Sequence, residues 1–153
     1  MARVFQINLS DGGVPKRAVA RVWVGRLGLA GDGHRDLLHH GGEERAVCLY
    51  SLERILALQA EGHPIYPGSV GENLTMREVA WEKLQAGTVF RFHGGVELML
   101  TRPTTPCQTI VASFKEGAIT RILQRENPGW SRWYARVLRE GELCVGEPCE
   151  VFF

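Results

Sequence analysis

Short apolar runs alternate with glycine-rich breaks along the whole chain, and the period within each run predicts its element. Val4 to Leu9 alternates apolar and polar residues, the period of a strand with one buried face. In the next strand Ala18, Ala20, Val22 and Val24 share one face, and Arg17, Val19, Arg21 and Trp23 share the other. Small residues on one face suit the inside of a small barrel. Ala46 to Tyr50 and Leu74 to Met76 predict two further strands. Thr88 to Phe92 and Val96 to Leu100 flank His93-Gly94-Gly95 and predict a hairpin. Arg136 to Leu138, Leu143 to Val145 and Glu150 to Phe153 complete the strands.

Helical signals are fewer. Ser51 is a good N-cap for a helix through Ala60, with Leu52, Ile55 and Leu56 on one face and Gly62 and Pro64 beyond its end. Ala118 to Arg125 predicts a second helix, stopped by Asn127-Pro128-Gly129, and Trp81 to Gln85 a turn or two. Ala86 to Phe92 and Val145 to Phe152 echo one another, each turning at a glycine into an apolar strand. The predicted class is mainly β with a few short helices (α+β content).

Composition adjusts this picture only slightly. A chain of 153 residues is expected to form one domain over residues 1–153. Hydrophobic content of 44% and charged content of 23% are ordinary for a globular protein. A net charge of +1 gives no electrostatic argument for a nucleic acid or membrane partner. No apolar run is long enough to span a bilayer, and Met1 to Ser10 lacks the apolar core of a signal peptide. Cys48, Cys107, Cys144 and Cys149 are therefore expected as reduced thiols in a cytoplasmic protein.

Candidate chemistry centres on Thr101-Arg102-Pro103-Thr104-Thr105-Pro106-Cys107-Gln108. Thr105 reads as an N-cap, Pro106 as the first helical residue and Gln108 as the partner in a capping box. That reading puts Cys107 in a first helical turn, where free N–H groups and the helix dipole favour a thiolate. A thiolate can attack, carry sulfur or bind a soft metal; the alternative is an inert buried thiol. Gly28 to Arg45 holds three of the five histidines, His34, His39 and His40, and fits no regular period, which predicts an ordered loop over a site. Pro67 to Asn73 is a second glycine-rich loop that brings Glu72 and Asn73, and Ser10 to Lys16 is a third, able to cup an anion beside Lys16. Histidine and cysteine spacing matches no zinc pattern, and no loop matches a nucleotide-binding fingerprint. A Cys–His nucleophile pair of Cys107 with His34 or His40 stays open.

Taken in order, these pieces resemble the MOSC family, named for the C-terminal domain of molybdenum-cofactor sulfurase. The residues that carry the likeness are Gly12-Gly13-Val14-Pro15-Lys16, Gly28 to His34, His40 to Val47, Gly68 with Gly71-Glu72-Asn73-Leu74, Pro106-Cys107, and Tyr134 to Val137 with Gly141 and Gly146. The resemblance implies a MOSC-type β-barrel that binds the molybdenum cofactor, a molybdenum–pyranopterin. It implies Cys107 as the residue that carries sulfur or ligates molybdenum, with His34 and His40 as catalytic partners. The implied cofactor-binding set is Lys16, Asp32, Gly41, Gly42, Arg45, Glu72, Asn73, Arg102 and Pro106, Arg102 being placed by position rather than motif.

The chain resembles the small stand-alone bacterial members, including those linked to resistance against N-hydroxylated bases. No aminotransferase-like sulfur-mobilising domain and no C-terminal helical extension of such relatives is expected. The implied function is reduction of an N-hydroxylated small molecule, with electrons from a redox partner because no flavin or iron–sulfur motif is visible. The alternative is a carrier that holds the cofactor or a Cys107 persulfide for a delivery partner. A barrel that serves only as an interaction module is the third reading.

Overall fold

The computed structural model describes residues 1–33 and 42–153. Its strands are β1 (Arg3–Leu9), β2 (Arg17–Val19), β3 (Arg21–Gly25), β4 (Gly28–Leu29), β5 (Val47–Ser51), β6 (Leu74–Arg77), β7 (Val89–Phe92), β8 (Glu97–Pro103), β9 (Trp133–Arg139), β10 (Gly141–Cys144) and β11 (Cys149–Phe152). Among the described residues an α-helix, α1, spans Leu52–Ala60. Among the described residues, eight strands form one sheet in the order β11-β7-β8-β9-β5-β6-β1-β2, and three form a second in the order β10-β3-β4.

Most of this follows from local pattern. The hairpin predicted around His93-Gly94-Gly95 is β7 and β8, paired antiparallel from Val89–Met99 to Arg91–Glu97. Phe90, Phe92, Leu98 and Leu100 are fully buried, as alternation requires of a strand with one covered face. The two echoing stretches are neighbours, since β11 pairs with β7 from Cys149–Phe92 to Phe152–Val89. Ser51 caps α1 as expected, its hydroxyl accepting the Arg54 N–H at 3.1 Å.

Four expectations are corrected. The strand predicted across Arg17 to Val24 breaks at Ala20: β2 pairs with β1, while β3 pairs with β10 and β4 in the second sheet. Ala18 and Ala20 are exposed and only Val22 and Val24 are buried, so the small residues do not line one interior face. Because the chain changes sheet there, no closed barrel forms among the described residues; a bridge between Arg3 and Pro148 joins β1 to the turn before β11 without a ladder. The helix predicted over Ala118 to Arg125 is a 3-10 turn, Ile119–Ile122, in a segment already turned by Glu116 at φ 57°.

The pairing that matters most for the site is β5 with β6, which is parallel. Parallel neighbours need a long crossover, here supplied by α1 and the loop after it. That return brings the chain into β6 beside the middle of β5, with Leu49 opposite Leu74. On the far side of β5, two buried donors fix the approach to β9: Tyr50 Oη donates to Trp130 O at 2.6 Å and Trp81 Nε1 to Ser131 O at 2.8 Å. Trp130 itself lies between the guanidinium groups of Arg54 and Arg121, 4.4 and 4.0 Å from its ring centre.

Replacing the α1 cap, Ser51→Ala, should lower stability by about 1 kcal/mol in urea unfolding. An unchanged midpoint would mean that the crossover helix does not depend on this bond.

Candidate functional site

A cavity of about 430 Å³ opens where three loops meet the ends of β5, β8 and β9. The loop after β1 contributes Gly13, Val14 and Lys16; the segment after β4 contributes Asp32 and Gly33; the loop before β6 contributes Val70, Gly71 and Asn73. The opposite wall holds Arg45, Cys48, Thr104, Cys107, Arg132 and Tyr134. A wider, more open concavity of about 1030 Å³ lies over Trp23, Leu27 and Leu138. Size favours the second, but chemistry favours the first, which gathers two thiols and buried cations.

Asn73 holds the walls together. Its N–H donates to Cys48 O at 2.7 Å, its Oδ1 accepts the Cys48 N–H at 3.0 Å, and its Nδ2 donates to Asp32 Oδ2 at 2.9 Å. Asp32 Oδ1 in turn accepts from the Ser10 N–H at 3.0 Å and pairs with Lys16 Nζ at 2.7 Å, both side chains being nearly buried. Gly68 closes the same corner. It sits at φ +90°, the Lys16 N–H donates to its carbonyl at 2.9 Å, and a Cβ there would lie 2.6 Å from Lys16 O.

Glu72 is placed differently from its neighbour. Its carboxylate is fully buried and turned into its own loop, where Oε2 accepts from the Gly68 N–H at 3.0 Å and from Thr75 Oγ1 at 2.9 Å, while Oε1 has no partner. Burial pushes its acidity toward the protonated form, and the two donors and the charge of Arg132 only partly offset this. Glu72 therefore stiffens the loop and does not line the cavity.

Cys107 lines the cavity but is not in a helical first turn. It precedes the 3-10 segment Gln108–Ser113 as an extended residue, φ −138° and ψ 177°, and no side chain caps that segment. The capping residues read from sequence are therefore displaced, and the dipole argument does not carry over to six residues of 3-10 geometry. Its Sγ lies 2.9 Å from Thr109 Oγ1. Cys48, the second thiol, is buried with Sγ 3.7 Å from Thr104 Oγ1; burial pushes it up, against the pull of Arg132 and Thr104. Burial likewise raises Tyr134, over whose ring the Arg45 guanidinium sits at 5.9 Å. Both groups thus keep their protons at neutral pH.

Of the residues expected from sequence, the cavity brings together Lys16, Asp32, Arg45, Asn73 and Cys107. Arg102 is exposed on β8 and Pro106 half-buried, neither lining it, and Gly42 borders the wider concavity. His34, His40 and Gly41, with His39, lie outside the described residues. Sequence reasoning missed Arg132 and Tyr134 in this role. Tyr134 was within reach, since it opens the Tyr134-Ala135-Arg136-Val137 motif; Arg132 carries no local signal.

The family model of the MOSC domain matches residues 36–150. This chain belongs to the MOSC domain family. It is 33% identical over 141 residues to YflK of Bacillus subtilis, covering 91% of this chain and 62% of YflK. It is 31% identical over 131 residues to a protein of Gibberella moniliformis named reductase, covering 82% of this MOSC chain and 23% of that protein. The chain thus spans less than two thirds of either relative. The crystal structure of YiiM from Geobacillus stearothermophilus superposes with a TM-score of 0.71 at 22% identity, over all of this chain and 76% of YiiM, a likeness of fold.

The buried Glu72 gives a pH test. Its folded-state pKa is raised, so the stability it contributes is complete below the ordinary carboxylate range and is lost as pH rises through the folded value. Glu72→Gln keeps an acceptor for Gly68 and Thr75 but cannot ionise. The variant should gain stability relative to wild type as urea unfolding is repeated from pH 4 upward, whereas a constant difference would show that Glu72 is ionised without penalty.

Proposed function

We propose that this cavity binds a molybdenum–pyranopterin cofactor through Cys107, and that the protein takes part in reducing N-hydroxylated compounds. The observation that carries this reading is the meeting, in one cavity, of the Cys107 thiol with the buried Lys16–Asp32 pair. The donor set fits the group: a soft sulfur suits molybdenum, and cations beside glycine-rich backbone suit its phosphate. Family membership and the likeness to a reductase support the same assignment.

When bound, the cofactor would supply redox chemistry at the metal. The chain's own residues have other tasks. Cys107 would hold the metal, Lys16 and Arg45 would hold anionic parts of the cofactor, and Asn73 would keep the cavity walls in register. Lys16 is oriented for this by Asp32, whose remaining oxygen is fixed by Asn73. Tyr134 Oη and Cys48 Sγ, kept protonated by burial, would donate hydrogen bonds toward the bound substrate. Electrons would come from a redox partner. Among the described residues no helix is long and apolar enough to cross a membrane, and a cytoplasmic location is part of the proposal.

Protein produced in a molybdenum-replete host should contain about one molybdenum and one pterin per chain, read by metal analysis and by fluorescence of the oxidised pterin. Cys107→Ala should lose most of the metal. Wild type without metal or pterin would refute the cofactor reading. With cofactor bound, turnover of an N-hydroxylated purine with a chemical electron donor would identify the reductase; tight binding without turnover would identify a carrier.

A further inference from the structure

Arg132 is a buried cation without a counter-ion in contact among the described residues. It is only 6% exposed, yet it lines the cavity. Its Nη1 donates to Val70 O at 2.7 Å, and its Nε has no hydrogen-bond partner. Among the described residues, no carboxylate lies within ion-pair distance of it. The nearby acids do not contact it among the described residues: Asp32 binds Lys16, Ser10 and Asn73, and Glu72 accepts through Oε2 from Gly68 and Thr75. Burial shifts Glu72 toward its neutral form and the charge of Arg132 opposes that shift, without a direct contact between the two among the described residues.

The segment that carries Arg132 is rigid. Trp130 O and Ser131 O are held by Tyr50 and Trp81, Thr104 N–H donates to Arg132 O at 2.9 Å, and Ser131 Oγ donates to Thr104 O at 3.2 Å. The guanidinium is thus presented to the cavity by fixed backbone on one side and by Val70 on the other. A buried, unpaired arginine is costly unless a ligand completes it, and its planar fork matches an oxyanion. Tying Val70 O explains one of its five N–H donors, not the placement of the charge.

We infer that Arg132 is an oxyanion receptor within the cavity, at a position distinct from the Lys16–Asp32 pair, and takes a phosphate or carboxylate group of whatever ligand the cavity holds. The inference rests on Arg132 itself and stands whether or not the cavity takes a molybdenum–pyranopterin.

The test uses the full chain without cofactor and inorganic phosphate as the probe. Nitrogen-15 spectra report arginine Nε–H groups individually, and Arg132→Lys identifies the Arg132 signal by its disappearance. Phosphate at constant ionic strength should shift the Arg132 signal saturably and leave that of exposed Arg91 unmoved. Absence of a saturable shift, or an equal shift at Arg91, overturns the inference. Arg132→Met should bind phosphate at least about tenfold more weakly than wild type. Should that variant not fold, the wild-type titration decides alone. A second arm names the source of the anion in cofactor-loaded protein. Loss of pterin from Arg132→Met assigns the receptor to the cofactor's phosphate; retained pterin with lost preference for carboxylate-bearing over neutral N-hydroxylated substrates assigns it to the substrate. Retained pterin with unchanged phosphate binding overturns it.

Discussion

The parallel pairing of β5 and β6 is the constraint on which the site depends. It obliges the chain to leave through α1 and come back at the starting side of β6, and the last residue of that return, Asn73, lands against Cys48. An antiparallel hairpin could not deliver a thirteen-residue loop, residues 61–73, to that place. Once there, Asn73 satisfies both backbone groups of Cys48 and holds Asp32, and through Asp32 it sets Lys16. Every wall of the cavity is referred to that one amide.

Around this frame the buried ionisable groups are treated in three ways. Lys16 and Asp32 neutralise each other at 2.7 Å. Glu72, without a cation in contact among the described residues, is pushed toward neutrality by burial and kept in place by two donors. Arg132 can do neither, because a guanidinium does not give up its proton at accessible pH. A charge that the described residues neither pair nor neutralise points to an interaction with a ligand.

The elements written in local pattern were legible: the cap at Ser51, the hairpin at His93-Gly94-Gly95, the strands of β1 and β5. The errors occur where tertiary contacts overrule local preference. Thr105, Pro106 and Gln108 have the residue types of a helix start, yet β-branched Ile110 and Val111 follow, and the segment winds as 3-10 from Gln108. Arg17 to Val24 alternates like one strand, and nothing at Ala20 announces that its halves belong to different sheets. Lys16, Asp32, Asn73 and Cys107 were found through glycine-rich loops and a Pro-Cys pair, which are local signatures. Arg132 was not, because a lone arginine between Ser131 and Trp133 reads as a solvated charge until Val70 and Thr104 are folded over it.

The bonds that build the cavity also fix when it can exist. Cys48 to Asn73 spans 25 positions, Asp32 to Asn73 spans 41 and Val70 to Arg132 spans 62. Each closes a long loop, and the entropy of that closure must be overcome before the contact yields anything. A fragment that lacks any one of these segments therefore cannot complete this cavity. A ligand with affinity for it recognises only the finished fold, so its binding stabilises the whole cooperative unit rather than any one loop.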